Sequence, residues 1–483
     1  MSIYKKFTKD VGIIGITNLI TPLGGLILLP IIVKTLGASG YGIWAQVGVT
    51  LGLINPIADL TLSYTFVRFF AGVKDKREIQ NGFFSIFITM FCWSSFIALI
   101  LFSLASPIAN VLFNDANTIE IVKIAAIIVP FSTINTLLLF FFRTYRQMKT
   151  FSALTLLQSF GELAAIAYFV LSGFGVFGAV ISILIVKFFM DMVMLVIIVS
   201  QIGMKIPNFS NIRSYLKFGM PLIPSQLSSW VVNSSDRYVI GIFRGIASVG
   251  IYSAAYGIGN IISIFLAPIN FVLVPALSKS YDEGKIDEVK NLLSYSLKYL
   301  LMLAIPSAFG LSILAKPILL IMTTPEFVLS GSLVVPFVAL SMVLFCIYGV
   351  VGQVIVLVKK TRITGTVWVI AGLVNLGLNI IFVPKIGIMG AAITTLIAFV
   401  IATAVTAYFS FKYIAFNLNW LFILKSIAAS VVMCIIIWYI NPIQLLDVLL
   451  CIGIGAGLYA TFLFLLKGFT REELKFFREL FRV

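Results

Sequence analysis

Apolar stretches of about 20 residues recur from one end of this chain to the other, separated by short polar segments. Twenty residues of α-helix rise about 30 Å, the thickness of a bilayer's hydrocarbon core. The 483-residue chain has a mean hydropathy of +1.11 and only 11% charged residues, where a soluble domain carries about 25%. The reading is an all-α polytopic membrane protein. The first run, Val11–Lys34, is too long for a signal-peptide core and no small-residue cleavage site follows it, so it reads as the first span.

Fourteen transmembrane helices are expected, at 11–35, 42–66, 82–105, 118–142, 152–171, 176–199, 217–242, 250–276, 291–314, 328–352, 364–383, 388–410, 421–440 and 444–466. An even number puts both termini on one side. Of the 34 basic residues, 26 fall in the terminal segments and alternate loops on that side, such as Lys74, Arg77, Arg143 and Lys360. The opposite loops hold only a few, among them Arg244, Lys316 and Lys385. The positive-inside rule then makes the termini cytoplasmic, in a cell membrane. The outer loops are short and leave no room for an extracellular domain. The tail 470–483 opens with a capping box, Thr470 and Glu473, and sets Leu474, Phe477 and Phe481 on one face, so an interfacial helix is expected there.

The two halves resemble each other. Gly42-Ile43-Trp44 matches Gly250-Ile251-Tyr252 at an offset of 208, and Gly175 and Gly178 match Gly387 and Gly390 at an offset of 212. Both motif pairs fall at equivalent outer loops. The plan is six spans, six spans and an extra pair: a lobe at 1–200, a cytoplasmic linker at 201–216, a second lobe at 217–412, and a helix pair with its amphipathic tail at 413–483. Two parallel six-helix lobes around a central cavity form a transporter plan. Prolines at 22, 30, 56, 221, 224, 268 and 275 interrupt the spans, either as static kinks or as points where a bundle bends.

Several chemistries are excluded. The chain has no histidine, so imidazole catalysis and histidine ligation of a metal are out. Its four cysteines lie far apart in apolar runs and form no C-x-x-C pair. No phosphate-binding G-x-x-x-x-G-K-[ST] occurs. The net charge of +16 belongs to membrane loops and not to nucleic-acid binding. No enzyme activity, cofactor or metal is expected.

The costly residues sit inside spans. In SSWVVNSSDRYVIG (228–241), Gln226, Ser229, Asn233 and Arg237 are spaced 3, 4 and 4 apart and form one helical stripe. Such a stripe faces a bundle interior or a watery cavity, not lipid. Asp236 lies about 100° around the helix from Arg237, so each is expected to find its partner elsewhere: Arg237 in the cavity, Asp236 on a neighbouring helix. An arginine there suits an anionic ligand, because its planar fork binds two phosphate oxygens. The alternative is an ion pair that fixes packing. Asp59 lies in the second span with Arg68 nine residues on, about 13 Å down a continuous helix, and Lys34 lies near the outer end of the first. Lys123 and Lys298 read as snorkelling, Lys187 and Asp191 as a local i, i+4 pair. Asn375 and Asn379 form a smaller polar pair.

KFGMPLIPSQLSSWVVNSSDRYVIG (217–241), ASVGIYSAAYGIG (247–259), LGASGYGIWAQ (36–46) and IGIMGAAITTLIAF (386–399) resemble the Wzx-type polysaccharide flippases, over essentially the whole chain. That family belongs to the multidrug, oligosaccharidyl-lipid and polysaccharide exporter superfamily. The resemblance implies a MATE-like fold and transport of a polyprenyl-diphosphate-linked oligosaccharide from the cytoplasmic to the outer leaflet by alternating access. It implies Arg237 as the leading cavity cation, with Arg68 and Lys34 behind it, and leaves Asp59 as the early candidate for coupling; Asp236, by its place on the helix, reads as a structural or coupling charge. The implied partners are the lipid-linked oligosaccharide and the bilayer, with glycosyltransferases or a polysaccharide polymerase alongside. A cation-coupled small-molecule exporter on the same fold is the alternative.

Overall fold

The computed structural model describes residues 3–113, 115–469 and 473. Helices make up most of the described chain, with no strand among the described residues. Eleven segments among these residues are long and apolar enough to cross a membrane. Two of them are double. Ile14–Asp59 is broken at Gly37 (φ 67°), and Met148–Ile202 is broken at Gly173 (φ 86°) and Gly175 (φ 60°). The helix Ile223–Arg244 is the expected seventh span, and its polar stripe keeps it out of the eleven. With these three adjustments the expected span order is recovered. The protein is a multi-pass membrane protein.

The chain forms two compact units, residues 1–253 with 375–391, and residues 254–374 with 392–483. The first has an aromatic core. Phe66 stacks on Phe70 at 4.9 Å between ring centroids, and Phe83 meets Phe141 edge-on at 5.4 Å. A second cluster in that unit joins Val47, Ala109, Ile128 and Val180. In the second unit Phe422, Met433, Ile437 and Tyr459 pack with Leu314. Fully burying such a side chain contributes about 1.5–3 kcal/mol against water, but lipid already hides apolar surface, so small residues and polar contacts set helix pairing here.

The internal repeat is visible in the backbone. Gly175 and Gly387, 212 residues apart, have φ of 60° and 63°. Gly37 and Gly245, 208 apart, have φ of 67° and 81°. All four end a helix in the left-handed region, which glycine enters without the Cβ penalty. Equivalent turns in the two halves therefore use the same local device.

The second span departs from a continuous helix. It stops at Asp59, Leu60 and Thr61 take φ of 50° and 51°, and a helix resumes at Leu62–Phe70. Irregular backbone at membrane depth is tolerated where protein covers it, and Leu60 and Thr61 are buried. The Thr61 hydroxyl donates to the Gly219 carbonyl. The expected axial spacing from Asp59 to Arg68 does not hold across this break.

Two expected charge arrangements also differ. Lys187 meets Glu162 at 3.7 Å, not Asp191. Lys298 does not snorkel; it is buried and paired with Glu473 at 2.7 Å. Of the expected tail helix, Leu474, Phe477 and Phe481 lie outside the described residues, as does Thr470 of the capping box.

Candidate functional site

The helix Ile223–Arg244 carries the stripe. Its N-terminal turn holds Pro224, whose missing N–H costs nothing there, and Gly245 (φ 81°) ends it. Burial then rises along the stripe. Gln226, Ser229 and Asn233 are half-buried and Arg237 is buried.

The stripe is bonded along its own length. Asn233 Nδ2 donates to the Ser229 carbonyl at 2.8 Å. Arg237 Nη1 donates to the Asn233 carbonyl at 2.6 Å and to Asp236 Oδ1 at 2.8 Å. Asp236 therefore does pair with Arg237, contrary to the expectation from their 100° separation. The arginine side chain is long enough to wrap around the helix surface, which a wheel of fixed directions does not capture. The other half of the expectation stands: Asp236 also reaches the neighbouring helix, where Tyr252 donates its hydroxyl to Oδ2. The Arg237 guanidinium lies 5.2 Å from the Tyr252 ring centroid, a cation–π contact. Asp236 is wholly buried and Arg237 is 7% exposed. Each charge is thus compensated, as buried charges must be.

The same helix is also bound to the second span. Trp230 Nε1 donates to the Val49 carbonyl at 3.1 Å, and the Tyr238 hydroxyl shares a 2.8 Å hydrogen bond with Thr50 Oγ1. Trp230, Ser235 and Tyr238 line an apolar recess of about 460 Å³ with Leu53, Leu376 and Ile380. Gln46, 1% exposed, has no hydrogen-bond partner among the described residues on either amide atom. The sequence reading did not single it out, although an amide inside an apolar run was a signal of the same kind as the stripe.

Asp59 is buried and accepts from the Ser63 amide at 3.2 Å and from Ser63 Oγ at 2.8 Å. It caps the resumed helix after the break. Arg68 and Lys34 are exposed.

A second polar network lies within the first unit. Asn135 Nδ2 donates to Asp191 Oδ1 at 2.7 Å and to Gln158 Oε1 at 3.0 Å. Gln158 Nε2 donates to Glu162 at 2.9 Å, and Glu162 faces Lys187. Asp191 is 2% exposed, and its Oδ2 has no hydrogen-bond partner among the described residues. Its charged members were visible in the sequence; Asn135 and Gln158 were not, because nothing local ties three helices together. Asn375 and Asn379, fully buried, bond to each other at 3.1 Å.

A family model described as a polysaccharide biosynthesis protein matches residues 31–332. The chain is 24% identical over 218 residues to the probable low-salt glycan biosynthesis flippase Agl15 of Haloferax volcanii, covering 45% of this chain and 46% of that protein. It is 30% identical over 172 residues to the probable flippase AglR of the same organism, 35% of each chain. The chain thus spans about half the length or less of these curated relatives. Among solved structures, the lipid II flippase MurJ in an inward closed conformation superposes with a TM-score of 0.77 at 20% identity, over 96% of this chain and 99% of that one. An inward-facing multidrug resistance MATE family transporter superposes with a TM-score of 0.69 at 17% identity, over 83% and 98%. These likenesses establish the fold.

Proposed function

We propose that this chain, which belongs to the polysaccharide biosynthesis protein family, is a flippase for a polyprenyl-diphosphate-linked oligosaccharide in cell-surface glycan assembly. The observation that carries the reading is a buried arginine on the most polar span of a MurJ-like fold. A diphosphate and its sugars cannot cross hydrocarbon unaided, because burying unpaired charge costs many kcal/mol. A fixed guanidinium with neighbouring amides would replace the lost water.

In this reading Arg237 is held ready by Asp236, and an arriving phosphate competes with that carboxylate for the guanidinium fork. Tyr252 keeps Asp236 satisfied while the arginine turns. Asn233, Ser229 and Gln226 offer hydrogen bonds to the head group, and Arg68 and Lys34 act at a distance, drawing an anion toward the site. Asp59 serves as a cap. The lobes at 1–200 and 217–412 rock around the head group in alternating access, with 201–216 as linker and 413–483 as an added pair. The termini are cytoplasmic, the direction is toward the outer leaflet, and glycosyltransferases or a polymerase supply and consume the lipid-linked glycan. The protein performs transport without covalent chemistry.

The test is reconstitution. Purified protein is placed in liposomes that carry a fluorescent polyprenyl-diphosphate oligosaccharide, and exposure of the head group on the far leaflet is followed. Protein-dependent exposure supports the reading. Efflux of small organic cations from the same liposomes without head-group exposure would replace it with the cation-coupled exporter.

A further inference from the structure

Lys298 lies on the helix Ile286–Ile313, seven residues inside the span expected at 291–314, about 10 Å along the axis. It is 7% exposed. A lysine at such a position needs an anion, since a buried unpaired charge is strongly destabilising. Among the described residues the neighbouring span helices supply none. The acid with which Lys298 pairs among the described residues is Glu473, at 2.7 Å from both carboxylate oxygens. Glu473 belongs to the segment that follows the last span helix, Leu445–Leu465. Tyr299 also donates to Glu473, at 3.3 Å. The ammonium lies 5.0 Å from the Phe422 ring centroid and 5.9 Å from that of Phe469.

One and two turns further along the same helix, Met302 and Pro306 line an apolar groove of about 500 Å³. Its other wall is formed by Met433, Ile437 and Tyr459, and Phe469, whose ring lies 5.9 Å from the Lys298 ammonium, lines it too. A buried cation beside an apolar groove between span helices has the chemistry of a site for an anionic amphiphile. The volume is in the range of small-molecule sites, about 300–1,000 Å³. We propose that Lys298 and this groove bind an anionic phospholipid of the surrounding bilayer, its phosphate on the ammonium and an acyl chain in the groove. Glu473 is then an internal competitor, which occupies Lys298 until a lipid phosphate displaces it. Charge complementarity selects this occupant over a neutral lipid. The proposal needs only binding, so it stands or falls independently of the flippase reading.

The experiment is thermal unfolding of the purified, delipidated full-length protein in detergent. Phosphatidylglycerol and phosphatidylcholine with the same acyl chains are added in separate arms, and a polyprenyl phosphate in a third. Glu473→Gln leaves Lys298 without its carboxylate, so its Tm falls by several degrees. Phosphatidylglycerol restores the Tm and phosphatidylcholine does not. The double variant Lys298→Gln with Glu473→Gln has no charge to satisfy and responds equally to both lipids. An E473Q protein raised equally by the two phospholipids would overturn the proposal. So would a double variant that still prefers phosphatidylglycerol. Restoration by polyprenyl phosphate alone would overturn the phospholipid as occupant. If E473Q does not fold, native mass spectrometry compares wild type with Ser307→Phe, which puts a ring into the groove. Less phosphatidylglycerol retained by Ser307→Phe is the expected result, and equal retention contradicts the site.

Discussion

Gly42 and Gly250 cross reciprocally. A β-carbon on Gly42 would fall 2.0 Å from the Ile246 carbonyl oxygen, and one on Gly250 would fall 2.1 Å from that of Ala38. Ala38 and Ile246 each lie four residues before one of the two glycines, and each pair is separated by 208 residues. The internal repeat is therefore built into one contact, in which each helix offers a glycine to the other's carbonyl. Close approach of this kind draws on van der Waals packing and weak Cα–H···O contacts.

Alanine at either glycine must push backbone away from backbone, which no rotamer change relieves. Gly42→Ala and Gly250→Ala should each destabilise by about 1–3 kcal/mol, read as a lower unfolding temperature in detergent. Because they share one crossing, the double variant should lose less than the sum. Additive losses would mean that the crossing is not shared.

Asp236→Asn leaves the Arg237 guanidinium buried without its carboxylate. The expected loss is about 3–5 kcal/mol. Tyr252→Phe removes one donor to Asp236 and should cost about 1–3 kcal/mol, the usual cost of leaving a buried charged acceptor short of a partner. Changing Asp236 and Arg237 together to Asn and Met should recover much of the stability that Asp236→Asn loses. Unfolding curves of the four proteins check this order.

Asp59 separates a cap from a coupling acid. Asn caps a helix about as well as Asp, whereas Ala costs about 1 kcal/mol. Asp59→Asn should keep both stability and transport, and Asp59→Ala should lose stability. Normal stability with abolished transport in Asp59→Asn would make Asp59 a coupling group.

Asn135 is the donor on which the buried Asp191 depends. Asn135→Leu should destabilise by about 1–3 kcal/mol, while Asp191→Asn, which removes a buried charge, should be neutral or stabilising. A stable Asn135→Leu protein would show that the network contributes little.

The fold was legible to the extent that its causes are local. Apolar runs gave the spans, and glycines at fixed offsets gave the turns, because φ near 60° is a demand on one residue at a time. The break at Leu60–Thr61 was not legible, since neither residue favours a positive φ and burial against Gly219 holds it. At the site, the stripe from Gln226 to Arg237 followed from helical period. The pairing of Asp236 with Arg237 did not, because it depends on how a long side chain folds back. Lys187 with Glu162 joins two helices, and Lys298 with Glu473 spans 175 residues. Contacts of that range leave no trace in spacing.

The most direct measurement is the initial rate of head-group exposure in liposomes carrying the fluorescent polyprenyl-diphosphate oligosaccharide, for wild type, Arg237→Lys and Arg237→Ala. Each protein is first shown to be folded and equally incorporated. Transport by wild type is expected, with a reduced rate for lysine, which keeps the charge but loses the fork, and a near-complete loss with alanine. Equal rates for all three would contradict Arg237 as the phosphate-binding group, and no protein-dependent exposure by wild type would contradict the flippase itself.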